Sequence, residues 1–324
     1  MTRPRVFILL MLAAALGWPL APAAAQDYPN RSITLIVPFP AGGGNDVLAR
    51  MVAEKMSAAL GQQIVIDNRA GAGGTIATRA AAAARPDGYT LMLGYTGTLS
   101  VNPTLYPNAG YDPRKDFAPI GLIASQGSVL CVHPSLPATS VAELIALAKA
   151  RPGGINYGTT PGTVGHITSE LFARTAGIEI TFIPYKGTAP AVSDLLGGHI
   201  KMMFAPPLTN MSHVRAGTLR ALAVTTAERS RLLPEVPTVA EASLPGFSAA
   251  VRYGLLAPAG TPRPIVEKLN RELQIALAAD DVQERLRREG AEPVESTPHD
   301  YAAEIDREET KWGALVRKLG LRME

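Results

Sequence analysis

The sequence predicts an α/β fold in two similar lobes, and three observations carry that expectation. Near-continuous apolar runs of strand length alternate with helical runs, turns rich in Gly and Pro join them, and the same order of elements restarts after about residue 120. Strands apolar on both faces and linked through helices point to a parallel sheet, because an antiparallel sheet with one wet face alternates apolar and polar residues. The 324 residues suit about two domains at roughly 150 residues each.

Residues 1–25 read as an export signal. Arg3 and Arg5 give the positive start, Val6 to Leu16 the apolar stretch and Ala23-Ala24-Ala25 the small-residue cleavage site. Gly17, Pro19 and Pro22 end the apolar run well short of the roughly 20 residues that a spanning helix needs, so cleavage near Ala25 and a periplasmic mature chain that does not insert into the membrane are expected. Next comes the apolar strand Ser32 to Val37, the turn Pro38 to Gly44, and a helix from about Asn45 to Leu60 with Asn45 or Asp46 as N-cap and Gly61 past its end. Gln63 to Asp67 is a second strand. Gly71-Ala72-Gly73-Gly74 opens an Ala-rich helix that stops at Arg85-Pro86-Asp87-Gly88, and Tyr89 to Tyr95 is a third strand.

In the second half, Ser140-Val141-Ala142-Glu143 reads as a capping box. Strands follow at Ile155 to Gly158, Glu179 to Pro184, Ile200 to Phe204 and Leu219 to Thr225, with helices starting near Val164, Ala189 and Thr209. After Pro258-Ala259-Gly260-Thr261-Pro262 the chain is charged and helical over Arg263 to Ala279, Asp281 to Glu289 and Pro298 to Leu319. Ile265, Leu269, Leu273 and Leu277 recur at helical spacing, so these helices should pack one face onto a lobe.

Composition excludes several classes of function. At 47% hydrophobic and 18% charged the chain is not disordered. Its 31 basic and 28 acidic residues are scattered, and loss of Arg3 and Arg5 leaves a formal charge near +1, so no basic arm marks a nucleic-acid partner. The lone Cys131 excludes an internal disulfide and a Cys-based zinc site, and reads as a small buried hydrophobe. No Gly-x-Ser-x-Gly elbow, His-Glu-x-x-His, Walker loop or Cys-x-x-Cys is present. Gly71 to Gly74 has Ile76 where a dinucleotide fingerprint has its third glycine, which favours a helix-entry turn. His166 and Glu170 stand one helical turn apart with no third ligand near in sequence, so packing is favoured over metal or acid-base work there.

What recurs is a Gly-, Thr- and Pro-rich turn between a strand and a helix: Pro38 to Asp46, Gly158-Thr159-Thr160-Pro161-Gly162-Thr163, and Tyr185-Lys186-Gly187-Thr188. Each should lie at the carboxyl end of a strand, where open α/β sheets bind ligands. There the unpaired N–H groups of a helix start favour an anion by roughly 0.3–1 kcal/mol from the dipole, plus the hydrogen bonds. Taken singly, such turns are tight connections; three of them from both lobes point to a shared cleft that grips a small anion with neutral donors.

At these residues the sequence resembles the substrate-binding receptors of tripartite tricarboxylate transporters, the Bug receptors. The matching stretches are Pro38 to Gly43 with Asp46 and Ala49-Arg50, Asp67-Asn68-Arg69 with Gly71 to Gly74, Asp87 to Leu91, Pro184 to Gly187 with Ala189-Pro190, and Asp194 to Gly198. Arg220 to Val224, Pro237 to Glu241 and Gly254 to Pro258 continue the series. The resemblance implies a two-lobe periplasmic binding protein fold of type II with the ligand cleft between lobes. Residues 26–123 and 250–324 would form lobe 1 and residues 124–249 lobe 2. It implies a monomeric receptor with no cofactor, metal or catalytic residue, which captures a small carboxylate and delivers it to membrane permease subunits. The contacts it implies are Phe39, Ala41, Gly42, Gly43, Thr96, Thr98, Thr159, Thr160, Thr163 and Thr188, with Tyr185 as a wall, while Asp46 fixes the first loop.

The sequence departs from the family at a few places. The second-lobe loop is one residue short and has Pro161 where glycine is common; members commonly carry acids at the places of Lys201 and Ala205 and an aromatic at Arg252. An amine-bearing ligand would lose acidic partners, and a second carboxylate would gain Arg252 if that side chain enters the cleft; otherwise Lys201 and Arg252 are solvated charges. The rival functions are a sensor that docks on a signalling partner and a hydrolase using His166 with a threonine. The latter lacks a third group to hold the base.

Overall fold

The computed structural model describes residues 28–161 and 163–323. The export signal expected at 1–25 lies outside them, as does Gly162 of the second-lobe turn.

Strand β1 (Ile33–Val37) leads into helix α1 (Gly44–Leu60), followed by β2 (Ile64–Asn68), a short 3-10 turn at Ala72–Gly74, α2 (Thr75–Ala82) and β3 (Thr90–Tyr95). A π-helical turn at Gly97–Val101 runs into α3 (Asn102–Leu105), and then come β4 (Phe117–Gly127), β5 (Val129–Val132), α4 (Val141–Ala150) and β6 (Asn156–Thr159). The chain continues with α5 (Val164–Ala176), β7 (Thr181–Pro184), α6 (Thr188–Leu196), β8 (Met202–Ala205), α7 (Pro207–Arg215), β9 (Arg220–Val224) and α8 (Val239–Ala242). It ends with β10 (Ala250–Pro258), α9 (Arg263–Ala278), α10 (Asp280–Arg288), β11 (Ala291–Pro293) and α11 (Pro298–Leu319).

These strands form two sheets, one in the order β11-β4-β10-β3-β1-β2 and the other in the order β7-β6-β8-β5-β9. Neither is wholly parallel, which corrects the expectation from the apolar runs. β1 pairs parallel with β2 and β3, and β6 with β7 and β8; β10 and β5 run against their neighbours. The cause is the route of the chain. It leaves the first sheet at the end of β4 and enters the second at Val129, which pairs with the last residue of β8, Ala205. A strand entering at the carboxyl ends of its neighbours must run opposite to them, and β10 repeats the geometry beside Tyr95 at the end of β3. Thr225 ties the two crossings together: its hydroxyl accepts the Ser128 N–H at 2.8 Å, and its carbonyl accepts the Ala249 N–H at 2.8 Å.

The central strands are apolar at successive positions because both faces are covered. Leu35, Leu91 and Leu93 pack with Leu48, Val52 and Met56 of α1 and with Leu269 and Leu273 of α9. Ile36 and Met92, pointing the other way, pack with Ala77 and Ala81 of α2 and with Tyr301 and Ile305 of α11. Each buried Leu, Ile or Met is worth roughly 1.5–3 kcal/mol. In the second sheet Leu130 and Phe204 face α4 and α5, while Cys131 and Met203 face α6 and α7. The far end of α11 departs from the expected one-lobe packing. Trp312 and Val316 share a cluster with Val101 and Leu105 of the first half and with Leu130, Phe172 and Phe247 of the second.

Two caps differ from expectation. Gly43 caps α1 without a side-chain hydrogen bond, because Asn45 and Asp46 already lie inside the helix. At α4 the Ser140 hydroxyl accepts the Glu143 N–H as expected, but the Glu143 carboxylate takes the N–H and hydroxyl of Thr139 instead of the Ser140 N–H.

Candidate functional site

The turn after β1 exposes Ala41, Gly42, Gly43 and Gly44, with Phe39 half-buried against Tyr95 at a ring separation of 5.1 Å. Gly42 takes φ +82, a left-handed conformation that glycine adopts without the Cβ penalty. Asp46, the third residue of α1, is nearly buried. Its carboxylate accepts the Gly42 N–H and Arg50 Nε, each at 2.9 Å, and the Asn68 amide at 3.1 Å. Asn68 also donates to the Phe39 carbonyl at 2.9 Å, so the end of β2 holds both ends of the turn. The hydrogen bond from Arg50, helped by those from Gly42 and Asn68, outweighs burial and lowers the Asp46 carboxyl to about 2. With Asp46 turned inward, no side chain caps α1, and its first N–H groups are left without helical partners.

The second sheet repeats this arrangement. β6 ends at Thr159, and α5 starts after Thr163, whose hydroxyl donates to the Thr160 carbonyl at 2.8 Å instead of capping the helix. The Thr159 and Thr163 hydroxyls lie 3.4 Å apart. β7 ends at Pro184, and α6 starts at the half-buried Thr188 behind an uncapped Gly187. Between them the Tyr185 ring packs on Gly158, where any Cβ would lie 2.7 Å from the ring, and its hydroxyl donates to Asp194 Oδ2 at 2.6 Å. Burial and the Asp194 carboxylate together push the Tyr185 phenol up to about 12. α7, after β8, is likewise uncapped. Ser140, Thr238 and Thr297 cap α4, α8 and α11 with their side chains, and α2, α9 and α10 are uncapped as well. The turns at the ends of β1, β6, β7 and β8 thus keep helix N–H groups open, which suits an anion.

The sequence profile described as "Tripartite tricarboxylate transporter family receptor" matches residues 48–321. The chain belongs to that family. It is 39% identical to Protein BugT of Bordetella pertussis, with 100% of each chain covered. Among solved structures, R. palustris Rpa4515 with adipate is 40% identical at a TM-score of 0.81, covering 92% of this chain and 100% of that one. MatC from Rhodopseudomonas palustris with bound malate is 34% identical at a TM-score of 0.77, covering 89% and 100%. The two-sheet α/β architecture is therefore that of a periplasmic binding protein fold, as the resemblance implied.

Within this tripartite-family receptor the other expected contacts occupy varied places. Thr96 is buried and its hydroxyl accepts the Arg252 N–H at 2.8 Å, tying the end of β3 to β10. Thr98 is fully buried and donates to the Tyr95 carbonyl at 3.1 Å. Arg252 is half-buried and spends its guanidinium on Glu304 at 2.9 Å and on Ser125. It also borders a cavity of about 640 Å³ beside the crossings, together with Ser125, Ser128, Thr226 and Glu304. None of Phe39 to Gly43, nor Thr159, Thr160, Pro161 or Thr163, lines that space. Lys201 sits at the start of β8, opposite the end where the turns gather, and its ammonium donates to the Gly198 carbonyl at 2.9 Å.

His166 is buried at the start of α5, stacked on Phe182 at 4.3 Å, and burial holds its imidazole below the ordinary value. Glu170 accepts the Tyr157 hydroxyl at 2.6 Å, which engages the second member of the His166–Glu170 spacing. Sequence reasoning assigned no role to Asn68, Asp194, Ser125 or Glu304. Asn68 and Asp194 stood within matched stretches, but their partners lie far along the chain or across a turn.

Proposed function

We propose that the protein is an exported periplasmic receptor that encloses a small carboxylate between its two lobes and delivers it to the membrane subunits of a tripartite tricarboxylate transporter. The observation that carries this reading is the set of uncapped helix starts at the strand ends of both sheets, with Asp46 and Asn68 fixing the turn before α1. Residues 26–123 with 250–324 act as one lobe and 124–249 as the other, closing about the paired crossings at Ser128 and Ala249. Phe39 and Ala41 to Gly43 supply one wall and backbone donors; Thr159, Thr160, Thr163 and Thr188 supply hydroxyls and backbone donors from the facing lobe; Tyr185 closes the side. Two related structures hold adipate and malate, which supports a carboxylate here. No helix among the described residues is long and apolar enough to cross a membrane.

The test is a thermal-shift screen of the purified chain, freed of carried-over ligand by unfolding and refolding, against mono-, di- and tricarboxylates. A ligand at one hundred times its Kd stabilises the native state by about 2.7 kcal/mol, which raises the midpoint visibly. No shift across the panel with refolded protein would sink the carboxylate reading.

A further inference from the structure

The two halves of the chain also face each other on the far flank of the crossings. In the first sheet β4 and β10 stand between β3 and β11, and in the second β5 stands between β8 and β9. The cavity of about 640 Å³ lies with β11 and with the segment after β9. Glu292 and Ser296 line it from one half, Thr226, Ala227 and Arg231 from the other, and Ser128 from the crossing between them. The turns after β1 and β6 stand on the other side, past β3 and past β8. The crossings therefore separate two gaps between the same two halves.

The rim of the far gap is in contact. Gly290, in the α10–β11 turn, packs so closely on the other half that a Cβ there would lie 2.7 Å from Pro207 Cγ and 3.4 Å from Leu232 Cδ1. Glu292 Oε1 lies 4.0 Å from Arg231 Nε. Each side of this contact is anchored in its own half. The Glu289 carbonyl accepts Gln126 Nε2 at 2.6 Å, and Ala291 pairs with Gln126 of β4. Pro207 is buried at the start of α7, and Leu232 packs on the layer that holds Cys131 and Met203. Close-packed groups of this kind resist compression.

Two bodies that hinge about a fulcrum between two gaps narrow one gap as they widen the other. Opening of the carboxylate cleft presses Gly290 onto Pro207 and Leu232, and its closure widens the cavity. We infer that Gly290, Pro207 and Leu232 form the stop that limits opening, and that the far gap sets the affinity for a ligand it never touches. A ligand held by the closed form binds with an apparent Kd that falls as the closed fraction of the free protein rises. The inference rests on the receptor reading above and adds to it the residues that tune its grip.

The experiment is calorimetric titration of the stripped, refolded chain with succinate, adipate and citrate, together with small-angle X-ray scattering of the chain without ligand. Ala227→Trp puts an indole, from an exposed position on the cavity wall, into the gap that narrows on opening. It should tighten binding at least about fivefold and make the unliganded chain more compact, a gain that loss of packing would not produce. Ser248→Trp, on the same wall, serves if the first variant does not fold. In the opposite sense, Arg231→Cys with Glu292→Cys, bridged by ethylene bis-methanethiosulfonate, should hold the far gap shut and weaken binding at least about tenfold, with recovery on reduction. Cys131 is buried away from that reagent. A folded tryptophan variant that binds no more tightly than wild type, or a bridged protein that binds as well as its reduced form, overturns the inference and leaves the receptor reading standing. Absence of binding by the wild type counts against the receptor reading, and scattering then decides the stop by itself: an unliganded tryptophan variant no more compact than wild type overturns it.

Discussion

The Asp46 carboxylate accepts the Gly42 N–H at 2.9 Å from four residues ahead, inside the helix that the turn introduces. A side chain at the third helical position has reached back past the cap to hold the residue before it. The same oxygen is 2.9 Å from Arg50 Nε, so one buried carboxylate sets the shape of the turn and the first coil of α1 together.

Asp46→Asn should weaken carboxylate binding about tenfold or more and lower stability by about 1–2 kcal/mol at neutral pH, because solvent screens the half-exposed Arg50 partner. Its pH dependence has a definite sign. The folded-state pKa of about 2 lies below the ordinary 3.8, so the unfolded chain takes up this proton first. The stabilisation is complete above about pH 4 and is lost as pH falls towards 2. Denaturant midpoints measured between pH 2 and 7 should converge for wild type and variant at the acid end; a gap that stays constant would show that the charge of Asp46 does not matter.

Arg252→Ala should lower the unfolding midpoint and leave ligand affinity within about threefold. The guanidinium braces β10 against Ser125 and Glu304, and removing it exposes a cost of about 1–2 kcal/mol. Burial alone would raise the Glu304 carboxyl, but Arg252 and Arg307 outweigh it and hold that group low. The variant should therefore begin to lose stability at a higher pH on acidification. A large loss of affinity with an unchanged midpoint would mean that Arg252 reaches the ligand instead.

Cys131 should report on global unfolding. It is fully buried, and burial pushes its thiol up to about 12 despite a nearby Asn210 amide. A thiolate-specific reagent at pH 8 should then label the native protein only through unfolding, with a rate that rises along the denaturant transition. Rapid labelling of the native protein would show that β5 is open to solvent on the timescale of the assay.

The sequence was most readable where a strand is covered on both faces. Leu35 to Val37 and Leu91 to Leu93 are apolar at successive positions because α1 and α9 lie on one side and α2 and α11 on the other. Strands β4 and β10 escaped that reasoning. Pro119, Gly121 and Ser125 interrupt the first, and Arg252 and Tyr253 interrupt the second, yet the two pair with each other from Gly127–Ala250 to Phe117–Pro258. No local pattern encodes a partner more than a hundred residues away. The turns were visible for a related reason, since Gly42, Gly43 and the threonines announce helix starts. What those starts lack was not visible: that Asp46 turns inward, and that Tyr185 and Asp194 satisfy each other, depends on contacts made only once β2 and α6 are in place.

The last helix carries a consequence of its own. Tyr301 and Ile305 belong to the apolar layer of the first sheet, whereas Trp312, two turns further on, is packed with Leu130 and Phe247 of the other half. The Lys311 ammonium donates to the Ser248 carbonyl, and the Met323 N–H donates to the Leu105 carbonyl. α11 is thus a tie whose two ends are seated in different apolar layers. A break in this helix between Ile305 and Trp312 should therefore loosen both apolar layers at once.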